Sequence, residues 1–394
     1  MTGDLTAGEV LARRAARHHL LTPAVEGPAA AARVVCGVHA QIMSAAELSL
    51  GLRVAGATRS HVRRALWEDR TLVKTFGPRG TVHLLAAEDL PLWTAALSAV
   101  PRPGESWADE VRLTPDRTEA VLAAIVDALR GEPLTAEELG EAVVERTGAW
   151  AADPVLPAFG GWWPRWRQAL GTAAHRGTVV FGPDRGRRAT YTHPMRAVPG
   201  FAPADQQTAL RFLVRSYLHA YGPASSDHLA RWLAAPPAWA ADLITTMGDE
   251  LEAVTIQGAG PLWQLADERP AQVGRPPAEP PPAEALPGVR LLPYFDAYVV
   301  GSHPRDLIFP GRAADRALNR GQAGNYPVLL VDGVVAGVWH LRRSGTRLAV
   351  TVEPLRALGE ARRRELEEQV ERVGHILEGT ATLTVGRLSV GPHA

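Results

Sequence analysis

His39 and Gln41 are the side chains near the start of this chain whose types and spacing best suit chemistry, because they lie two residues apart in the otherwise apolar segment 35–42. A neutral imidazole can accept a proton, and a carboxamide can hold a water molecule without deprotonating it. In a continuing helix, side chains at this spacing diverge by about 200°, whereas extended or turning backbone can place them on one face. We therefore predict that a helix over 28–38 ends before the pair. The alternative is that both side chains only bind loose backbone groups at a helix end.

The composition favours a cytoplasmic protein of several domains. The 394 residues are 46% hydrophobic, which allows a large core, and the length predicts two to four domains. The sequence contains no apolar run of about 18 residues and no signal-peptide pattern, so we expect no membrane partner. Cys36 is the single cysteine, and no histidine spacing is typical of a metal site. We therefore expect neither a metal nor a cofactor.

The charge pattern leaves the type of partner open. The formal net charge is zero, which is unusual for a nucleic-acid-binding protein but does not forbid a basic face. Lys74 is the only lysine among the 42 Lys and Arg residues. Arginine suits phosphate contacts through its planar, bidentate guanidinium, and the same bias is typical of a GC-rich coding sequence.

Periodicity, caps and turn residues predict an α+β protein with three tandem winged-helix units followed by a small C-terminal β-barrel-like domain. The predicted boundaries are 1–100, 105–198 and 202–270 for the three units, 271–288 for a proline-rich connector and 289–394 for the last domain. Helices are expected near 6–21, 28–38 and 59–69, over 114–131, from 135 and over 164–176, near 204–221, 225–234 and 237–251, and over 359–377.

Turn residues predict the hairpins. Glycines and proline at 77–80 and at 182–186 lie between alternating segments and indicate two wings. Asp332-Gly333 between two apolar runs is a strong hairpin signal. Thr135 followed by Glu138 indicates a capping box at the start of a helix.

Winged helices dock a helix and a hairpin tip on duplex DNA, so basic residues at these places are candidate phosphate contacts. Ordinary solvent-exposed residues are the alternative for each of them. In the second unit the candidates are Arg165, Arg167 and His175 on the third helix and Arg185, Arg187 and Arg188 on the wing. Nearby aromatic side chains either stack on bases or pack between domains, and these are Trp162, Trp163 and Trp166.

Two blocks of the sequence carry a further signal. The first contains Ala65-Leu66-Trp67-Glu68-Asp69-Arg70, Val73-Lys74-Thr75-Phe76 and Arg79-Gly80-Thr81-Val82-His83-Leu84-Leu85, and the second contains Leu291-Leu292-Pro293-Tyr294-Phe295-Asp296-Ala297-Tyr298 and the segment 328–339. Together they resemble the bacterial winged-helix DNA glycosylases of the AlkZ-like family. In that family a Gln-aliphatic-Gln or Gln-aliphatic-Asp motif in the first winged helix carries the chemistry, and His39-Ala40-Gln41 is a His-first variant of it.

The resemblance implies a monofunctional glycosylase, acting as a monomer on double-stranded DNA that contains alkylated purines. It would begin base excision repair, in some members as self-resistance to a DNA-alkylating metabolite. The resemblance makes His39 and Gln41 the catalytic residues and places Arg79 and His83 beside an open cleft. Asp296 and Tyr298 match the second block, where they either line the cleft or pack.

The chemistry follows from the positive charge of an N7-alkylguanine or N3-alkyladenine, whose glycosidic bond is already weakened. The enzyme needs only to place a water at the sugar and to tolerate a cationic transition state. Gln41 would hold the water, and neutral His39, with an ordinary pKa of about 6.5, would accept its proton. We therefore expect activity to fall below roughly pH 6. A lyase would need an amine, and Lys74 is the only such side chain.

Two other classes of function use the same helices. A transcriptional regulator would bind DNA without releasing a base, although the sequence shows no clear dimerisation or ligand module. A scaffold that uses winged helices for protein contacts would have no affinity for DNA even at about 50 mM salt, where phosphate contacts are strong.

Overall fold

Helices and small sheets alternate along the chain, in the mixed α+β class that the sequence predicts. The structure is a computed structural model and describes residues 4–24, 26–101, 108–158, 161–256, 261–268 and 287–391. The proline-rich connector predicted at 271–288 lies almost entirely outside these residues. No helix in the described ranges is both long enough and apolar enough to span a membrane.

The first segment contains β1 Asp4–Leu5, α1 Ala7–Arg17, α2 Pro28–Val34, β2 Val38–His39, α3 Met43–Arg53, α4 Arg59–Trp67, β3 Leu72–Phe76, β4 Val82–Ala86 and α5 Leu90–Ala99. Strands β2, β4 and β3 form an antiparallel sheet in that order. The hairpin at 77–80 and the three predicted helices are confirmed, although α2 ends four residues early. Helix α3 is not predicted, because it is buried on nearly every side and therefore lacks an amphipathic pattern.

The second segment contains α6 Pro115–Ala128, β5 Leu134–Thr135, α7 Ala136–Thr147, β6 Pro154–Ala158, β7 Gly161–Pro164, α8 Leu170–His175, β8 Val180–Arg185, β9 Arg188–Thr192 and α9 Pro194–Ala197. Strands β5, β9 and β8 form its sheet. The capping box at Thr135 is confirmed, with its N–H donating to Glu138 Oε2 at 2.8 Å. The β6–β7 hairpin is not predicted, and α8 begins later than the expected helix from 164.

The third segment contains α10 Gln206–Tyr221, α11 Ser226–Leu233, α12 Pro237–Thr246, β10 Leu251–Ile256 and β11 Leu262–Leu265. All three predicted helices are present, and the last ends at Thr246 rather than near 251. An isolated bridge between Ala224 and Trp263 extends the β10–β11 pair on one side, and β1 extends it on the other.

The C-terminal segment contains β12 Val289–Leu292, α13 Ala297–Gly301, α14 Arg312–Ala317, β13 Val328–Val331, β14 Val334–Ser344, β15 Arg347–Pro354, α15 Glu360–Ile376 and β16 Thr380–Val385. Its five strands form one sheet in sequence order. Asp332 and Gly333 make the predicted tight turn, with φ of 51° and 86°. Within the described residues β12 and β16 are not paired, so the expected barrel-like domain is a curled half-barrel.

The cores connect these segments. Leu11 of α1 and Leu48 of α3 belong to one apolar core with Leu291 and Val338 of the C-terminal sheet. Trp93 of α5 belongs to a second core with helices of the third segment. Helix α15 of the C-terminal segment packs against α3, the helix that follows Gln41, with Ile376 next to Gly51.

Candidate active site

A sharp reversal of the backbone places His39. After α2, Cys36 and Gly37 have φ of 57° and 88°, and a Cβ on Gly37 would lie 2.5 Å from Leu85 Cδ2. The left-handed conformation and the lack of space both favour glycine at this position. The chain then forms β2, where His39 is paired with His83 of β4. The helix therefore ends before the pair, as predicted, with His39 in extended backbone and Gln41 in the bend that precedes α3.

The His39 ring is buried where three segments meet. It lies against the ring of His83, with centroids 4.2 Å apart, and against Phe295 of the C-terminal segment, at 5.9 Å. Arg79, from the turn between β3 and β4, lies within hydrogen-bond distance of it, with Nη2 3.1 Å from His39 Nε2. Histidine, arginine and an aromatic ring thus enclose the first residue of the motif.

The partners of His39 define its protonation. A guanidinium can only donate, so the Nε2 atom of His39 must accept and the proton of the neutral ring lies on Nδ1. Burial, and then the neighbouring His83 and Arg79, hold the pKa of His39 well below its ordinary value. Nδ1 is buried and has no hydrogen-bond partner among the residues described. The expected fall of activity below roughly pH 6 assumed the ordinary pKa of histidine, and the lowered pKa of His39 moves that expected fall to a more acid pH.

His83 is a second buried, neutral imidazole. Its Nδ1 lies 2.8 Å from the Thr81 carbonyl oxygen and donates to it, and burial lowers its pKa to about 3. A Cβ on Gly77 would lie 2.6 Å from this ring, so glycine at the start of the turn is what lets the backbone pass. His83 is beside His39, as the resemblance implies, but it is too enclosed to contact DNA directly.

Arg79 joins the first segment to the third. Its backbone is left-handed, with φ of 59°, and its Nη1 donates to the Trp232 carbonyl oxygen of α11 at 2.8 Å. Burial lowers the pKa of the guanidinium. Within the described ranges no carboxylate pairs with it. Sequence reasoning finds Arg79 but not Trp232, because the two are 153 residues apart.

Gln41 contrasts with His39 in exposure. Its side chain is exposed directly before α3, and none of the described residues accepts or donates a hydrogen bond to it. The motif therefore presents one buried, neutral ring and one open carboxamide.

The predicted DNA contacts of the second segment have different environments. Arg165 is buried, donates to the carbonyl oxygens of Glu110 and Val111 at 2.7 and 2.6 Å, and is paired with Asp153. Its prediction as a DNA contact is therefore wrong, since every bond it makes ties the segment together. Arg167 lies over the Trp163 ring at 4.4 Å.

The three wing arginines are exposed, as a contact with DNA phosphate requires. Arg185 is exposed but paired with Glu138 at 2.7 Å. Arg187 and Arg188 are exposed, and no hydrogen bond or ion pair links either to another described side chain. Their role in DNA binding stays a prediction.

The tryptophan cluster is divided. Trp166 is buried in the core of the second segment. Trp162 and Trp163, on β7, are 63% and 44% exposed. Packing between domains, the alternative weighed for all three, therefore holds for neither Trp162 nor Trp163.

Asp296 and Tyr298 are buried and do not line a cleft, so of the two alternatives the structure favours packing. Both Asp296 carboxyl oxygens accept from Arg53 at 2.8 Å, and one also accepts from Ser49 Oγ at 2.8 Å. Tyr298 is fully buried and its hydroxyl donates to the Gly333 carbonyl oxygen at 3.3 Å. Phe295, their neighbour, is the residue of this block that contacts the site.

The described residues give little support to metal, thiol or amine chemistry. No cluster of three or more His, Cys, Asp or Glu side chains there is arranged to hold a metal ion. The Cys36 thiol is buried, and burial raises its pKa, which disfavours the reactive thiolate. Lys74 lies over the Phe181 ring at 4.9 Å, on the side of β3 that faces the second segment.

Comparison with known proteins gives concordant results. The model of the AlkZ-like DNA glycosylase family matches residues 32–376. An interstrand DNA cross-link repair glycosylase of Streptomyces sahachiroi is 31% identical over 323 residues, which cover 78% of this chain and 80% of that protein. The solved structure of Streptomyces sahachiroi DNA glycosylase AlkZ is similar to this one with a TM-score of 0.77 and 25% identity, over 98% of this chain and 100% of that chain.

Proposed function

Because the chain belongs to the AlkZ-like family of DNA glycosylases, we propose that it hydrolyses the N-glycosidic bond of alkylated purines in duplex DNA and so begins base excision repair. N7-alkylguanine is the proposed main substrate, with N3-alkyladenine and bulky natural-product adducts as further ones. The relative from Streptomyces sahachiroi is named for interstrand cross-link repair, and this supports the inclusion of bulky lesions. A role in self-resistance to a genotoxin is consistent with it.

The observation that carries the proposal is the pairing of an open carboxamide with a buried, neutral imidazole. Gln41 is free to hold a water, and His39 adds no positive charge where cationic character develops on the sugar. The glycosidic electron pair returns to the alkylated base, which leaves neutral without an acid. The attacking water then loses one proton, either to solvent or to His39 Nε2 once Arg79 is no longer bonded to that atom.

The proposed mode of DNA binding is that of winged helices. In the first segment the order is α2, β2, α3, α4, β3, β4 with the sheet order β2-β4-β3, and the second segment repeats it with β5-β9-β8. This order is typical of a winged helix. In the third segment α10, the bridge at Ala224, α11, α12, β10 and β11 follow it as well, which supports three such units in the chain. We propose that they contact the duplex as a monomer in the cytoplasm.

The test is the release of free base from a duplex with a single N7-methylguanine. We expect free N7-methylguanine and an intact abasic strand, with no covalent adduct after borohydride treatment, because the register puts Lys74 and His39 on opposite faces of the β2-β4-β3 sheet. Tight binding without base release from methylated or bulky-adduct DNA would favour a regulator. Loss of all DNA affinity at about 50 mM salt would favour a protein-interaction scaffold.

A further inference from the structure

Positive charge is concentrated next to Arg79, where the first, third and C-terminal segments meet. None of the guanidinium groups in this cationic cluster is paired with a carboxylate from the described part of the chain. The cationic cluster consists of Arg14, Arg79, Arg231, Arg305, His228 and His303.

Two members, the buried Arg14 and the half-buried Arg305, donate only to backbone carbonyl oxygens among the described residues. Arg14 is fully buried, and its Nη2 donates to the carbonyl oxygens of Pro223 and His303 at 3.0 and 2.8 Å. Arg305 donates to the carbonyl oxygens of Val300 and Ser302 at 2.8 and 2.7 Å. Burial lowers the pKa of both to about 10. A buried cation without a counter-charge is costly, and carbonyl dipoles offset only part of that cost.

Two histidines extend the cluster towards the surface. The rings of His228 and His303 are stacked, 5.0 Å apart at 16°, and both are half-buried. Burial lowers their pKa to about 4 and about 2, and neighbouring arginines lower it further. The negative charge of Asp227 raises the pKa of His228 and so offsets part of this lowering. Both rings are therefore neutral at pH 7, and the arginines carry the charge.

Arg231 is the exposed end of the cluster. It follows His228 by three residues on α11, so the two share a face of the helix. It acts electrostatically on His228, His303 and Arg305, and no hydrogen bond or ion pair joins it to a described residue. The carbonyl of the next residue, Trp232, holds Arg79, and Arg79 contacts His39. Arg231 thus directly precedes Trp232, whose carbonyl oxygen accepts the hydrogen bond from Arg79 beside the candidate active site.

We infer that the cationic cluster binds a backbone phosphate of duplex DNA beside the damaged nucleotide, with Arg231 as the direct contact. This inference rests on the proposed function. A phosphodiester would supply the negative charge that the cluster lacks. It would also offset the field of Arg79, which otherwise opposes the positive charge that develops on the sugar.

The first experiment measures binding of a duplex with an uncleavable abasic-site analogue at several salt concentrations. We expect Arg231→Gln to weaken binding about tenfold at 50 mM salt and to reduce the slope of log affinity against log salt by about one. Arg364→Gln, an exposed arginine of α15, is the matched control and should leave both unchanged. A native slope and affinity for Arg231→Gln would overturn the inference.

The second experiment neutralises one phosphate at a time with methylphosphonate on either side of the lesion. We expect one position at which the methylphosphonate weakens DNA binding by the native protein. The same methylphosphonate should not weaken binding by Arg231→Gln any further, because that variant already lacks the contact. Equal penalties for both proteins at every position would contradict a direct contact. Displacement of DNA by inorganic phosphate at matched ionic strength would instead assign the cluster to free phosphate. These are binding measurements, so absence of base release would remove the proposed function without deciding the inference.

Discussion

Two buried polar clusters lie where the C-terminal segment meets the first segment, and they differ in charge balance. Arg53 and Asp296 are both fully buried and form a two-pronged ion pair, completed by Ser49 and by the backbone N–H of Tyr298. Among the residues that the structure describes, Arg79 beside His39 has a carbonyl oxygen and an imidazole as its hydrogen-bond partners and no carboxylate. A balanced pair can act as a rigid joint. An unbalanced group of donors is suited to receive an anion from outside.

Phe295 connects the two clusters. Asp296 caps α13, and Phe295, the residue before it, has φ of 54° and lies against His39. The ion pair therefore fixes the backbone that presents Phe295. The balanced cluster holds Phe295 against the candidate site, and the unbalanced one is where we infer that DNA phosphate binds.

The largest effect is expected on stability from Asp296→Ala. It would leave Arg53 buried without its carboxylate, so the free energy of unfolding should fall by about 3–5 kcal/mol, measured by urea denaturation. The double variant Arg53→Met with Asp296→Leu should recover much of this loss. A loss below about 1 kcal/mol for the single variant would mean that the pair is not the joint described here.

A smaller effect on stability is expected from Arg79→Met. This change removes two hydrogen bonds but also a buried, unpaired charge, so the free energy of unfolding should change by only about 1 kcal/mol. Affinity for the abasic-site duplex should fall in the same protein. If instead stability fell as far as in Asp296→Ala and binding did not change, the two clusters would not differ in the way proposed.

The smallest effect is expected from pH on the rate of base release. The folded-state pKa of His39 and His83 lies below the unfolded value of about 6.5. Their contribution to stability is therefore complete above pH 6.5 and is lost as pH falls from there towards 3. Single-turnover release should stay flat from pH 7 to 5 while the unfolding free energy declines. A rate that titrates near pH 6 in folded protein would show that His39 is more solvated than this structure has it.

Local patterns in the sequence predicted most of the secondary structure. Thr135 as a cap, Asp332-Gly333 as a tight turn and the extended backbone at His39 all depend on neighbours within a few residues. Helix α3 cannot be predicted in this way, because its environment is set by residues far away in the chain. Its polar residues are buried, Glu47 against arginines of α4 and Ser49 and Arg53 against Asp296, so the helix has no exposed polar face.

The candidate site could be predicted only in part. The motif and the β3–β4 turn are close in sequence, which brings His39, Arg79 and His83 within reach of pattern reasoning. Trp232 and Phe295 come from segments almost two hundred residues or more further on, and only tertiary packing brings them there. For the same reason the sequence does not show whether Asp296 lines a cleft or packs, since its partner Arg53 is 243 residues away in the chain.

The most direct measurement is single-turnover release of N7-methylguanine by the native protein and by Gln41→Ala. Because Gln41 is exposed and makes no hydrogen bond within the described residues, its loss should leave the unfolding free energy unchanged and slow release about 10²–10³-fold. Gln41→Glu is the matched control, since it retains size but adds charge. A native rate for Gln41→Ala, or no release by the native protein on methylated or bulky-adduct DNA, would contradict the assignment of this motif as the catalytic site.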